Sequence, residues 1–479
     1  MMLCYNVIIF VDTQSYPSTY TGRKIMRILV VGCGSVGHTL AEHLAQEEHD
    51  VIILDSSDEV ITRCDDEMDV LTIRGNGADA QTLIEAGVDK ADILIAITAT
   101  DEVNMLSCLI AKRLGAKYTI ARIRDPEYNQ SLTLLQRELG IDMVVNPERA
   151  TAMEISRLLR YPFASNIESF ARGRVEVVEF RAQESDEVVG LPLKDFPTKL
   201  RSLPRVLYAA VERDSQCIIP NGDFIIRPGD RVHVAGDIVT ISAFFRYLGR
   251  NMNKIKDVML MGGSRISYYL AKLIAPVGVN VNIIESKHDH AMYLSEELPD
   301  VNVIHGDGTD HGLLEQEGLT QMDAFVTLAD RDEENLMTGL YAVKQGVPKV
   351  IVKNNRGEYR DLITSMGLES IVSPKAITCS NILRYVRARV NGQGTKVEKL
   401  YRVMDGQAEV LEFIARSGDS YIGIPLRDLT IRPNTLVAVI VHKGRVIVPF
   451  GNDHIEAGDS VIIMTCERSI RDLNEVISK

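Results

Sequence analysis

Gly32, Gly34 and Gly37 stand in a Gly-x-Gly-x-x-Gly spacing directly after the apolar run Arg27-Ile-Leu-Val-Val31, and a second apolar run, Asp50-Val-Ile-Ile-Leu, ends in Asp55. Residues of these types in this order suit recognition of a nucleotide. Gly32 permits a tight turn off a strand, Gly34 lets a pyrophosphate approach the backbone, and Gly37 lets the following helix pack close to the sheet. The helix expected from Ser35 to Gln46 aims its free N–H groups and positive dipole end at the phosphates. The whole loop, Gly32, Cys33, Gly34, Ser35, Val36 and Gly37, is therefore a phosphate cradle in expectation. Asp55 has the carboxylate to accept both ribose hydroxyls. Ser56 and Ser57 follow it with no arginine beside them, which favours NAD or an adenosine nucleotide over a 2′-phosphorylated cofactor. Cys33 reads as a small filler residue in the loop.

Strand-like runs then alternate with helical stretches. Val70–Arg74 leads to Gly75-Asn76-Gly77, Ala91-Asp-Ile-Leu-Ile-Ala-Ile leads to Thr98, and Tyr118-Thr-Ile-Ala leads to Arg122. Alternation of this kind implies βαβ units and a doubly wound parallel sheet. Loops leaving the carboxyl ends of its strands, at Gly32, Asp55, Asn76, Thr98 and Arg122, would line one crevice.

The pattern recurs. Gly262 stands 230 residues after Gly32 and Glu285 stands 230 after Asp55, while Gly306-Asp307-Gly308, Asp323, Asn335 and Lys353 stand 231 after Gly75-Asn76-Gly77, Asp92, Asn104 and Arg122. An offset held over a whole domain is a duplication. The intervening stretches pair as well: Val175–Phe180 resembles Ala408–Phe413, and Pro228-Gly-Asp230 resembles Ala457-Gly-Asp459. Their alternating runs and Gly-Asp turns suggest a small α+β appendage after each unit. The expected division is residues 1–25 as an extension, 26–145 and 256–372 as nucleotide folds, and 146–250 and 373–479 as linker helices with appendages. The linker helices open at Pro147 and Pro374, where a helix tolerates proline. Their apolar faces, Ile155, Leu158 and Leu159 in one and Ile382, Leu383 and Val386 in the other, suit either pairing between units or packing within one.

Composition narrows the function. The chain has 479 residues, 45% of them hydrophobic, and a formal net charge of −13. An acidic surface repels nucleic-acid phosphate, so a DNA-binding regulator is disfavoured. The cysteines, at 4, 33, 64, 108, 217, 379 and 466, form no Cys-x-x-Cys pair and fit reduced thiols better than disulfides or zinc. No run reaches the length of a membrane span, so a membrane role would be peripheral.

Tandem copies of the glycine loop, Gly-(Asn/Asp)-Gly, Ala-Asp-Ile-Leu-Ile-Ala-Ile-Thr and Ala-Arg-Ile-Arg-Asp, each with a β-rich appendage, resemble the RCK domains that regulate potassium conductance. The two-by-two domain order over residues 26–479 is similar to the TrkA family of peripheral subunits. The resemblance implies two Rossmann-like units of the RCK_N type, each followed by an RCK_C appendage. It also implies a cytoplasmic assembly, usually tetrameric, docked on a membrane potassium translocator of the Trk type at the inner face of the plasma membrane. NAD(H) or ATP/ADP would be its regulatory ligand. By the same resemblance Asn76 and Gly77 would meet the adenine side, Thr98 and Ala99 the second mononucleotide, and Arg122 a phosphate. Arg122 also suits a sheet-edge ion pair.

The second loop departs from this pattern. It reads Gly262-Gly-Ser-Arg-Ile-Ser267, with Ser264 where the backbone should approach phosphate and Ser267 crowding the helix–strand contact. Arg265 adds a cation at the helix start, so Gly262, Arg265 and Glu285 could form a mononucleotide site or a vestigial one. His288, His290, His305 and His311 lack the spacing of a metal motif and read as solvated loop residues. Glu176 and Glu179 are weak candidates for a cation site. No set of residues suggests catalysis, and an NAD-dependent oxidoreductase is the alternative reading.

Overall fold

The computed structural model describes residues 25–214, 216–250, 254–356, 363, 366–390, 397–403, 407–467, 470 and 472–478. The extension expected over residues 1–25 lies outside them except for Ile25. Arg27–Val31 (β1), Asp50–Asp55 (β2), Leu71–Arg74 (β3), Ile93–Ala96 (β4), Tyr118–Arg122 (β5) and Met143–Val145 (β6) form one sheet in the order β3-β2-β1-β4-β5-β6. Every neighbouring pair is parallel. Apart from Arg27, β1 and β4 are runs of Ile, Leu, Val and Ala with almost no exposure, as expected for strands covered by helices on both faces. Helices Ser35–Gln46 (α1), Asp58–Glu67 (α2), Ala80–Glu85 (α3), Asp101–Leu114 (α4) and Leu132–Leu139 (α5) make the connections. α1 buries Leu40, Ala41 and Leu44, the spacing of one helical face. α4 stops at Gly115, whose φ of 118° is a left-handed cap that glycine adopts without strain.

Pro147–Arg160 (α6) leads to the first appendage. Its strands Asn166–Phe170 (β7), Val175–Arg181 (β8), Leu207–Arg213 (β9), Gln216–Ile218 (β10) and Arg231–Asp237 (β11) form an antiparallel sheet in the order β10-β9-β11-β8-β7, with helices Phe196–Lys199 (α7) and Ile238–Tyr247 (α8). The second nucleotide fold repeats the first. Asp257–Met261 (β12), Asn280–Glu285 (β13), Asn302–His305 (β14), Ala324–Thr327 (β15), Lys349–Lys353 (β16) and Ser370–Val372 (β17) take the order β14-β13-β12-β15-β16-β17, again parallel. Its described helices include Arg265–Ile274 (α9), His288–Glu297 (α10), His311–Gln316 (α11) and Asp332–Lys344 (α12). Pro374–Val390 (α13) follows. Val397–Val403 (β18), Ala408–Ile414 (β19), Thr430–Ile431 (β20), Thr435–His442 (β21), Arg445–Ile447 (β22), Ser460–Thr465 (β23) and Ile477–Ser478 (β24) build the second appendage. Its main sheet, β18-β19-β23-β21-β22, is antiparallel and has the first appendage's topology.

The described residues fall into two compact units, the first nucleotide fold with α13 and the remainder of the chain. α13 packs on α1 of the first nucleotide fold. Ile382, Leu383 and Val386 are fully buried there, and Arg387 meets Glu47 in a two-pronged ion pair of 2.6 and 3.1 Å with both side chains buried. In the other unit Ile155, Leu158 and Leu159 of α6 belong to one apolar cluster with Val258, Leu260, Ile266 and Tyr269 of the second nucleotide fold. α13 is thus built into the other repeat's lobe, whereas the α6 face shares its cluster both with the second nucleotide fold and with Val178, Phe180 and Phe244 of its own appendage. The two appendage sheets also share a cluster, Val175, Val177, Ala210 and Ala235 with Val410, Val439, Ile462 and Met464.

Candidate functional site

The sequence order β3-β2-β1-β4 reverses between β1 and β4, and the carboxyl ends of these strands converge at that switch point, where open α/β sheets bind ligands. Gly32 turns off β1 with φ 94° while its N–H donates to the Leu54 carbonyl at 2.8 Å. A Cβ there would lie 2.8 Å from the Thr98 nitrogen, and one on Gly37 would lie 2.1 Å from the Gly32 carbonyl oxygen. These two glycines are demanded by close backbone approach. Gly34 is different: a Cβ on it would meet nothing within 4 Å, and the residue is exposed. α1 starts beside it without a side-chain cap; Ser35 is exposed and Val36 half-buried.

Asp55 closes the far side of the loop. One carboxylate oxygen accepts from the Cys33 N–H at 2.7 Å and the other from the Ser57 N–H at 3.0 Å, which leaves each oxygen a further acceptor position. Asn76 is exposed and folds its side chain onto the Ala78 N–H at 3.0 Å; Gly77 is buried, where a Cβ would meet Val31 at 2.1 Å. At the end of β4, Thr98 is held by Asn104, which accepts from its N–H and hydroxyl at 2.7 and 2.8 Å and donates to its carbonyl at 3.2 Å. Asn104 also donates to the Arg122 carbonyl at 2.9 Å. This fully buried asparagine clamps the ends of β4 and β5. Its recurrence as Asn335 is the signal that could have marked it. Exposed Ala99 accepts from Arg124 through its carbonyl.

Arg122 donates to the Thr98 carbonyl, while its Nε is buried with no partner. Burial, and next the neighbouring Arg124 guanidinium, hold its pKa below the ordinary value. Two expectations change here. β5 lies between β4 and β6, and among the described residues Arg122 makes no ion pair, so the sheet-edge ion pair is not what the fold builds. Nor is the Asp55 corner without arginines. Helix α2 brings Arg63 to the Cys33 carbonyl at 3.3 Å, and strand register sets Arg74 beside Asp55, its guanidinium 2.8 Å from Asp58.

The second loop keeps the frame and alters the cradle. Glu285 accepts from the Gly263 N–H at 2.9 Å and the Lys287 N–H at 2.8 Å, and Asn335 clamps Ala329 and Lys353 as Asn104 clamps Thr98 and Arg122. Gly262 repeats the turn with φ 95°. Ser264, however, caps α9 by accepting from the Ser267 N–H. Ser267 does not crowd the loop: its hydroxyl donates to the Gly262 carbonyl, turning a steric conflict into a hydrogen bond. Arg265 is exposed at the helix start. The histidines are not in loops: His288 and His311 open α10 and α11, His305 ends β14, and His290 lies in α10 with Nε2 2.7 Å from the Gly263 carbonyl. Glu176 and Glu179 are both buried in β8, and among the described residues no group of His, Cys, Asp and Glu gathers to hold a metal. The scattered cysteines include two close pairs, Cys33 with Cys64 at 3.0 Å and Cys217 with Cys466 at 2.7 Å. Burial, then Cys64, pushes the Cys33 thiol far up.

The TrkA-N domain model matches residues 28–147 and 258–374, and the TrkA-C domain model matches residues 177–249 and 410–478. The chain belongs to the TrkA family. It is 32% identical to the Trk system potassium uptake protein TrkA of Halomonas elongata over 94% of this chain and 98% of that protein. It is also 32% identical to TrkA homolog 1 of Methanosarcina mazei over 92% of this chain and 97% of that one. Among solved structures, the GsuK RCK domain aligns with a TM-score of 0.59 at 16% identity, covering 97% of this chain and 95% of the other. The GsuK channel bound to NAD aligns with a TM-score of 0.59 at 17% identity, covering 94% and 78%. The likeness is one of fold: a duplicated RCK arrangement in which each parallel sheet is followed by an antiparallel one. No helix among the described residues of this TrkA-family chain is long and apolar enough to cross a membrane.

Proposed function

We propose that this chain is the nucleotide-binding regulatory subunit of a potassium-uptake system, gating a membrane translocator of the Trk type without performing chemistry itself. The names of its relatives, Trk system potassium uptake proteins, support the process. The observation that carries the ligand reading is the open cradle at Gly34, backed across the crevice by the unpartnered Nε of Arg122. A bare helix start and a planar cation suit phosphate on two sides. Gly32, Cys33, Gly34, Ser35, Val36 and Gly37 would hold the phosphates, Asp55 the ribose, Asn76 and Gly77 the adenine side, Thr98 and Ala99 the second mononucleotide, and Arg122 a phosphate. NAD(H) or ATP/ADP fits this set. Gly262, Arg265 and Glu285 form a weaker second site, because Ser264 already satisfies an N–H that a phosphate would take.

The fourfold division, with nucleotide folds at 26–145 and 256–372 and appendages at 146–250 and 373–479, belongs to the same proposal, as do a homotetramer and a place at the inner face of the plasma membrane. A ligand shifts such an assembly only by its differential affinity for two states. A nucleotide touching both the Gly32 loop and Arg122 supplies that difference by drawing the crevice together. Rubidium uptake into vesicles holding translocator and regulator tests it. Saturating nucleotide should change uptake with wild type and leave it unchanged with Arg122→Ala, which still binds, more weakly. A saturated mutant that responds fully would make Arg122 structural, and turnover of NADH with a substrate would favour an oxidoreductase.

A further inference from the structure

The two appendages bring one cysteine each to the same place. Cys217 is the middle residue of β10, the edge strand of the first appendage sheet, and Cys466 directly follows β23 of the second. They are 249 residues apart in sequence, yet their sulfurs are 2.7 Å apart at the rim of the apolar cluster between the sheets. Both are partly exposed, whereas the other described cysteines, Cys33, Cys64, Cys108 and Cys379, are buried. The pair is not a by-product of duplication, since the matching positions, 229 residues away, hold Val446 and Asp237. A disulfide needs an S–S separation of about 2.05 Å, so closure asks for less than an ångström of movement.

We infer that Cys217 and Cys466 are a peroxide-responsive thiol pair whose disulfide covalently joins the two appendages. Either sulfur can donate to the other, and that contact is the first cause holding the Cys466 thiol down and pushing the Cys217 thiol up. Two adjacent, partly exposed sulfurs supply what the chemistry needs, one thiolate to attack and a second thiol to resolve, and the inference assigns the first role to Cys466. The Glu467 carboxylate works against the thiolate but is paired with Arg432 at 3.2 Å. The Cys466 thiolate attacks one oxygen of hydrogen peroxide; the O–O bond breaks, hydroxide leaves, and a sulfenic acid remains. The Cys217 sulfur then attacks Cys466, the S–S bond forms, and the sulfenic oxygen departs as water with the Cys217 proton. Two thiols are oxidised and one peroxide is reduced to two waters. A dithiol reverses the step, as expected for a redox-sensing pair in a reducing compartment.

The test is peptide mapping under non-reducing conditions on the full-length chain, reduced, exposed to hydrogen peroxide and alkylated. A Cys217–Cys466 linked peptide should appear, vanish with dithiothreitol, and survive Cys64→Ser. In Cys217→Val, which copies the residue at the matching place of the repeat, the linked peptide should be lost and dimedone should label Cys466. A wild type in which Cys466 stays unmodified, or oxidises to sulfinic acid without forming the linked peptide, would overturn the inference. So would a Cys217→Val variant, folded by circular dichroism, in which dimedone leaves Cys466 unlabelled.

Discussion

In the first nucleotide fold α1 starts bare, with open space beside Gly34; in the second, Ser264 caps α9 and Ser267 binds the Gly262 carbonyl. Beneath that difference the two folds are the same machine. Asp55 and Glu285 tie down the loop nitrogens, Asn104 and Asn335 clamp the strand ends, and Asp92 and Asp323 accept from the first N–H groups of β1 and β12. Duplicated copies have therefore kept their scaffold and diverged where a phosphate would sit. A helix start has several unsatisfied N–H groups, and the second copy satisfies one from within. The comparison teaches that a serine at the place of Gly34 caps the helix from within while the fold around it stays the same.

The largest effect that sharpens this comparison lies outside the loops. Arg387→Ala removes the buried guanidinium that pairs with buried Glu47, which should cost about 3–5 kcal/mol of the first unit's stability by urea unfolding. Arg160, at the matching place of α6, is exposed, and Val277 stands 230 residues after Glu47. Arg160→Ala should therefore move stability by no more than about 0.5 kcal/mol. Equal losses would break the distinction between the two helix pairings.

Next is Gly37→Ser, which writes the second copy's residue into the first. Its Cβ would start 2.1 Å from the Gly32 carbonyl oxygen, and the strain should cost about 1–3 kcal/mol together with nucleotide binding. Ser267→Gly should cost only about 0.5–1.5 kcal/mol, the worth of a hydrogen bond. Unfolding curves for both variants check this, and a harmless Gly37→Ser would mean that the first loop can adopt the second's arrangement.

The last effect is a slope. Burial lowers the Lys349 pKa to about 7, with its ammonium donating to the Ala164 carbonyl and the Ser370 hydroxyl; the matching residue 231 positions earlier is half-buried Tyr118. The unfolded chain binds this proton up to the ordinary lysine value and the folded chain releases it sooner, so stability should rise with pH above about 7. The slope is at most about 1.4 kcal/mol per pH unit for one proton. The gain is complete above the ordinary lysine value and is lost as pH falls through the folded one. Lys349→Met should flatten that slope, and an unchanged slope would assign it to other groups.

Much of this was legible because strand and helix periods, glycine spacing and a constant offset are local signals. The strand–Gly32–α1 unit, the order of elements and the duplication all follow from them. Other features join residues far apart in the chain. Arg63 reaches the Cys33 carbonyl only because α2 folds back over the loop, and Cys217 meets Cys466 only because two appendages share a face. Asn104 was visible as a repeated residue, but its clamp on Thr98 and Arg122 needs both strand ends in place. Ser267 misled for another reason: its Cβ argues for crowding, while its hydroxyl supplies the hydrogen bond that relieves it.

The central claim is that the first loop alone is a tight nucleotide site, and calorimetric titration of the full chain with NAD(H) tests it most directly. The account predicts one tight site per chain, weakened by roughly 1.5–3 kcal/mol in Asp55→Ala and untouched in Glu285→Ala. Two equal sites per chain, or loss of binding in Glu285→Ala with Asp55→Ala unaffected, would contradict it.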